Sequence, residues 1–370
     1  MSNFDFSIAT AADDDDILRM LRDNPVPGGV TISYERSPSY FEGCGVMGNF
    51  HQAVIARERA GGRLAGLGCR AVRAMFINGR AADAGYLGQL RVDRRFQGRG
   101  LVSSGFSYFR ELDRDRRAQG YITTIIEGNR VAEGVLVRRA SRTLPLYREI
   151  DRLHTLALPA RPYKSQKKGG TEIRSAAEHD LPELIRFFDH HGAEKQFFPV
   201  LREEDFGPAS ASTRGLQVGD MLLATRGGHL CGVMGLWDQS AYKQPVVRGY
   251  SGFLRWGRPL YNGYARWRGD RPLPAPGEAL SLAYAAFTCI AGNDPDVFEQ
   301  LLCAICTLAA QRGYGRVLVG LTERDPLLAV AGRYPHIAYI SRLYTVCWKE
   351  ESQFHDNLDR RVSHVEIATI

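Results

Sequence analysis

The segment Arg95-Phe96-Gln97-Gly98-Arg99-Gly100 gathers residue types that can cradle an anion. Two glycines one residue apart let the backbone approach a ligand closely and aim successive N–H groups at it, and the arginines add positive charge. Context gives the loop its meaning. An apolar strand, expected over Tyr86 to Val92, hands over here to an amphipathic helix, expected over Leu101 to Gln119, whose positive end faces the loop. A diphosphate suits such a cradle. Two other phosphate loops fail on residue type. A Walker loop needs Gly-Lys-Ser/Thr, and this segment has no lysine. A dinucleotide fingerprint needs glycine or alanine at position 103, which is Ser103.

The elements that must position this loop occur twice. Ile8-Ala9-Thr10-Ala11-Ala12-Asp13 matches Ile173-Arg174-Ser175-Ala176-Ala177-Glu178, in each case a strand running into a helix N-terminus. The Thr10 or Ser175 hydroxyl can cap that helix, and the acids behind it favour its positive end, which accounts for Asp13 to Asp16 without a metal. The hairpin of Ala53 to Arg57 with Arg63 to Gly68 returns as Leu222 to Thr225 with His229 to Met234. Ala118-Gln119-Gly120-Tyr121 returns around Gly313-Tyr314, and Ile150 to Thr155 returns as Ile340 to Thr345. The later matches are spaced more widely, so the second copy carries an insertion at about 244–277. Each copy reads as strand, helical region, hairpin, strand, helix, strand, helix, strand, a mixed sheet with helices packed on it. Leu158 to Gly170, with Pro159, Pro162, Lys164, Lys167, Lys168 and Gly169-Gly170, reads as the linker. Val362 to Ile370 alternates like a last strand.

Arg-x-x-Gly-x-Gly after a strand ending Leu90-Arg91-Val92 resembles the acyl-CoA loop of the GCN5-related N-acetyltransferase (GNAT) superfamily, and the element order is that of its fold. The resemblance implies an α+β protein of two tandem GNAT folds, each a mixed, mostly antiparallel sheet flanked by helices. Residues 1–160 would form the domain with the intact loop and 171–370 the domain with a degenerate one. It further implies that acetyl-CoA is the acyl donor and that no metal is needed. Leu90, Arg91 and Val92 would meet the pantetheine arm through backbone groups, and Arg95, Phe96, Gln97, Gly98, Arg99, Gly100, Leu101 and Val102 would hold the pyrophosphate. Asn129 matches an asparagine whose amide meets the pantetheine, with a turn-forming role as the alternative. In the second copy Thr288-Cys289-Ile290-Ala291-Gly292-Asn293 faces this loop, and Asp294 and Asp296 put like charge where phosphates would lie.

Attack of an amine on a thioester needs a base, donors for the oxyanion and an acid for the leaving thiolate. The tyrosine that follows the Asn-x-x-Ala helix in the superfamily is missing after Asn129 to Val137, so Tyr147 is the candidate acid, with a core tyrosine as the alternative. Glu127, at the end of its strand, is the candidate base, with a salt-bridged role as the alternative. His51 and His154 read as half-buried histidines.

A chain of 370 residues suits two domains. It has no apolar run long enough to span a bilayer and no basic, apolar leader, so a cytoplasmic location and no membrane partner are expected. The seven cysteines read as reduced core thiols, with Cys303 and Cys306 on a buried helix. The net charge of +7 suits a polyanionic ligand without specifying one. Arg248, Arg255, Arg258, Arg266, Arg268 and Arg271 interleave with Tyr250, Phe253, Trp256, Tyr261, Tyr264 and Trp267. That is read as ring packing or a lid rather than a nucleic-acid surface. The expected activity is acetyl transfer to a primary amine of a small molecule, amino acid or peptide, and a homodimer is compatible with it. A non-catalytic acyl-CoA sensor or scaffold and a nucleic-acid-associated acyltransferase are the alternatives.

Overall fold

A computed structural model describes residues 3–137, 143–165, 170–267 and 271–370. Its strands are β1 Phe4–Ile8, β2 Val30–Glu35, β3 Phe50–Glu58, β4 Leu64–Ile77, β5 Arg80–Val92, β6 Tyr121–Ile126, β7 Leu146–Pro159, β8 Thr171–Ser175, β9 Met221–Arg226, β10 His229–Trp237, β11 Gln244–Tyr250, β12 Leu282–Ile290, β13 Arg316–Thr322 and β14 Ile337–Cys347. The longer helices are α1 Asp14–Asp23, α2 Leu101–Leu112, α3 Leu181–Gly192, α4 Phe253–Trp267 and α5 Pro295–Gln311.

Twelve strands form one sheet in the order β1-β3-β4-β5-β6-β14-β7-β13-β12-β10-β9-β8, while β2 and β11 pair apart from it. Matched copy to copy, the order reads alike from both ends. The final strands, however, are exchanged. β14 pairs antiparallel with β6, β7 pairs antiparallel with β13, and β7 and β14 pair with each other at the centre. Two self-contained sheets were expected, and one continuous sheet is found. Exchange leaves no central edge unpaired, since each long final strand has a partner on both sides.

The linker starts later than expected. Leu158 is fully buried in β7 opposite Val317, so the connection runs from Ala160. Lys167, Lys168 and Gly169 lie outside the described residues, as does Arg268 of the insertion. The duplication reaches into the helix starts. Thr10 N donates to Asp13 and Ala177 N to Asp180, at 2.9 and 2.7 Å, and these acids bind Arg57 and Arg174. The aspartate closes the turn in the second copy, where the Ser175 hydroxyl was expected to. Cys303 and Cys306 are buried on α5, as the sequence implies.

Helix α2 ends at Leu112, short of the expected Gln119. Asp113 accepts from the Tyr121 hydroxyl, and Asp115 pairs with buried Arg70 at 2.5 Å, which draws 113–115 into a tight 3-10 turn. Arg116 then turns left-handed at φ +52°. The tail differs too. Val362 to Ile370 forms no strand, and its only regular piece is a 3-10 turn at Ile367–Thr369. Each final-strand position is already taken by β7 or β14.

Candidate functional site

Between β5 and β6 the sheet opens. These parallel strands pair only at Gly85↔Tyr121 and Tyr86↔Ile122, and beyond that they diverge. The cause lies in β5. One extra residue there slips the register against β4, from Cys69↔Gly88 to Leu67↔Arg91, and Gln89 at the slip has φ +56°. Such a bulge bends its strand and frees backbone groups from the ladder. Leu90, Arg91 and Val92 form the bent arm that leads to the glycine loop.

The loop is built from within. Asp93 accepts from the Arg95 backbone N–H at 2.9 Å and pairs with its guanidinium at 2.6 Å. Phe96 is buried edge-on against Phe4 at 5.7 Å, so it offers a ligand only its backbone. Arg99 lies over the Phe96 ring at 5.5 Å, and Gln97 is exposed. Gly98 and Gly100 have φ of +77° and +75°, and among the described residues a Cβ on either would meet nothing within 4 Å. Gly100 is the N-cap of α2, and no side chain of the described residues caps it. Among the described residues, the first N–H groups of a three-turn helix are thus left open beside two positive-φ glycines, a geometry that suits an anion. Leu101 anchors that helix over Gly66, where a Cβ would stand 2.6 Å from its methyl, and Val102 packs against the apolar layer beneath.

The candidate catalytic residues are placed differently. Tyr147 lies in the apolar layer with Val135 and Leu136, with its ring edge-on to Tyr344 at 6.0 Å. Burial holds its phenol far above the ordinary range, so it keeps its proton at neutral pH. Glu127 shares its carboxylate between Arg152 at 3.5 Å and Arg342 at 3.6 Å, the salt-bridged alternative for this residue. Asn129 Oδ1 caps a short helical turn by accepting from Ala132 N at 3.1 Å.

Sequence reasoning missed a group on the face of the sheet away from α2. Arg91 is flanked there by Tyr34 of β2, Tyr339 of β14 and Tyr86, whose hydroxyl lies 3.1 Å from Thr124 Oγ1. Burial pulls the Arg91 pKa down and pushes the Tyr34 and Tyr86 phenols up. Nearby, buried Arg73 leaves Nε and Nη1 without hydrogen-bond partners among the described residues, in a small cavity shared with Tyr86, Ile122, Glu366 and Ile370. The signal was a basic or aromatic residue inside a strand, which resembles any other half-buried position.

The second half repeats the geometry and fills it. β12 and β13 pair only over Leu282 to Tyr284, and the bulge recurs with Phe287 at φ +50°. Here the bulge N–H donates to Glu366 Oε2 at 2.6 Å, and Thr322 of β13 donates to Ser363 O. The tail therefore lies across this gap, with Ile367 against Gly320 and Lys243 Nζ holding the Ile370 main-chain oxygen at 2.7 Å. At the start of α5, Asp294 accepts from the N–H groups of Asp296 and Val297 and pairs with Arg226 at 2.9 Å.

No family model and no curated protein matches the sequence. Solved structures do. Yeast (Saccharomyces cerevisiae) N-myristoyltransferase with bound myristoyl-CoA aligns over 94% of this chain and 83% of its own, at TM-score 0.60 and 10% identity. A GCN5-related N-acetyltransferase from Sphaerobacter thermophilus aligns over 100% of this chain and 99% of its own, at 0.56 and 13%. The glucosamine N-acetyltransferase region of a fungal multi-domain β-N-acetylglucosaminidase aligns over 94% of this chain and 38% of its own, at 0.61 and 14%. With its bulged, splayed β5 and β6, its glycine loop and the recurrence of the bulge and splayed strands in the second half, the chain has the tandem fold of the GCN5-related N-acetyltransferases.

Proposed function

We propose that the protein is an acyl-CoA-dependent N-acyltransferase whose donor site is the first-half cleft, with acetyl-CoA as the donor and a primary amine of a small molecule, amino acid or peptide as the acceptor. The open start of α2 carries this reading: two positive-φ glycines and an uncapped helix end beside a splayed strand pair. The pyrophosphate would sit on the N–H groups that follow Gly98 and Gly100, and the pantetheine would run along Leu90 to Val92. The amine nitrogen attacks the thioester carbonyl carbon. A C–N bond forms, the C–S bond breaks, the thiolate takes up a proton and the amine gives one up. Backbone N–H groups freed by the Gln89 bulge are the donors for the oxyanion. Tyr147 serves as the acid and Glu127 as the base. Holding both reactants in one cleft supplies much of the acceleration.

The sensor reading draws on Glu127 and Asn129, which are both engaged within the fold. Calorimetric titration with acetyl-CoA and with a long-chain acyl-CoA tests the donor site. Acetyl-CoA should bind, and Gly98→Glu with Gly100→Glu should weaken it by roughly a hundredfold or more, because each glutamate strains a positive-φ site and sets like charge against phosphate. Absence of binding in the unaltered protein overturns the donor site. Tight binding without turnover across a panel of amines favours the sensor.

A further inference from the structure

Helix α4 in the second-half insertion is seated with its apolar face outward. Trp256, Leu260, Tyr264 and Trp267 follow one another at helical spacing, and they are 79%, 78%, 51% and 82% exposed. A surface helix ordinarily turns such a stripe toward the core. Here the inward face is held by polar groups. Asn262 is buried and exchanges two hydrogen bonds with Leu273, while Arg258 donates to Pro274 O, which clamps the helix to the proline-rich return. Of the rings that the sequence reading expected to pack, Tyr250 does so beside Asn262 and Ala265, whereas Trp256, Tyr264 and Trp267 are exposed. The helix carries Arg255, Arg258 and Arg266 and no acidic residue, and the Arg255 guanidinium lies 5.3 Å over the Trp256 ring.

We propose that α4 is a peripheral membrane anchor that docks on an anionic bilayer surface. Tryptophan and tyrosine favour the headgroup level, leucine reaches the acyl boundary, and arginines beside them attract anionic lipid. No described helix is long and apolar enough to cross a membrane, so the expectation of no membrane partner, which rested on spanning segments, does not bear on a helix lying in the interface. Charge argues against a second copy on this face. A two-fold contact through the stripe would set the arginines of one helix against those of the other, with no acid on either helix to offset them. A convex stripe with Leu260 between the rings also suits insertion into lipid better than a groove that tracks a nucleic-acid backbone.

The test is co-sedimentation of the full chain with vesicles of phosphatidylcholine alone and with about one part in three phosphatidylglycerol. The protein should bind the mixed vesicles more tightly. Trp256→Ser with Trp267→Ser should lower that binding about tenfold or more, and Arg255→Gln with Arg266→Gln should remove the preference for anionic lipid. All four side chains are in exposed or surface positions, so unchanged thermal melts are the control for folding. Failure to sediment with either vesicle overturns the proposal. So does a dimer, seen by light scattering, that the serine pair dissolves, or salt-sensitive binding to single-stranded RNA without binding to vesicles.

Discussion

The starts of α2 and α5 are the same structural position in two copies of one fold, and they have opposite contents. At α2, glycine at the cap leaves the first N–H groups without a side-chain acceptor. At α5, Asp294 supplies the acceptor from within the chain, and Arg226 neutralises it. The bulges differ in the same way, since the N–H of Phe287 is taken by Glu366. The same position in a duplicated fold can therefore be open in one half and filled from within the chain in the other. The second half meets the same electrostatic demand with its own carboxylates, one at the helix end and one at the bulge.

The largest way to break this comparison is to separate the halves. Residues 1–165 and 170–370 expressed apart should each melt well below the full chain, because each then has one final strand where the joined sheet has two at its centre. Co-expression should restore one folded complex, as read by thermal melts and size exclusion. Gly320→Val comes next. A Cβ there would stand 2.4 Å from Ile367, so the tail must move out of the second gap, at a cost of about 1–3 kcal/mol in denaturant unfolding. Acetyl-CoA affinity, if it belongs to the first half, should survive that loss.

Asp294→Ala gives the smallest effect, about 1 kcal/mol from the lost cap. Burial pushes the Asp294 carboxyl up, but the N–H groups of Asp296 and Val297 and the Arg226 guanidinium more than offset it and hold the pKa below the ordinary value. Its stabilisation is therefore complete above the unfolded carboxylate value of about 3.9 and is lost as pH falls through the lower folded value. The difference between Asp294→Ala and the parent in urea midpoint should shrink on acidification below that point. A difference that grows would mean that the carboxylate is not what fills the helix end.

The glycine loop was legible because positive-φ positions beside a helix start demand a residue type that the sequence displays. The duplication was legible for a similar reason, since turns and caps use the same few residues in both copies. Strand exchange was not. Ile150-Asp151-Arg152-Leu153 and Ile340-Ser341-Arg342-Leu343 are near-equivalent, and backbone hydrogen bonds do not distinguish one such strand from another at the edge of β6 or β13. The tail misled by its alternation. Val365 and Ile367 are buried, yet alternation reports burial of one face and says nothing of a free edge to pair with. Glu127 was open to two readings because its partners, Arg152 and Arg342, are distant in sequence, and one of them comes from the other copy.

The position of β14 has a consequence for the order in which the molecule is made. β6 borders the gap beside β5, and its outer neighbour is a strand that ends at Cys347. During synthesis β6 therefore waits for that neighbour until the second half has been made as far as β14, and in that interval its edge is open to other partners, β7 among them. The gap encoded first is flanked by a strand that belongs to the other half.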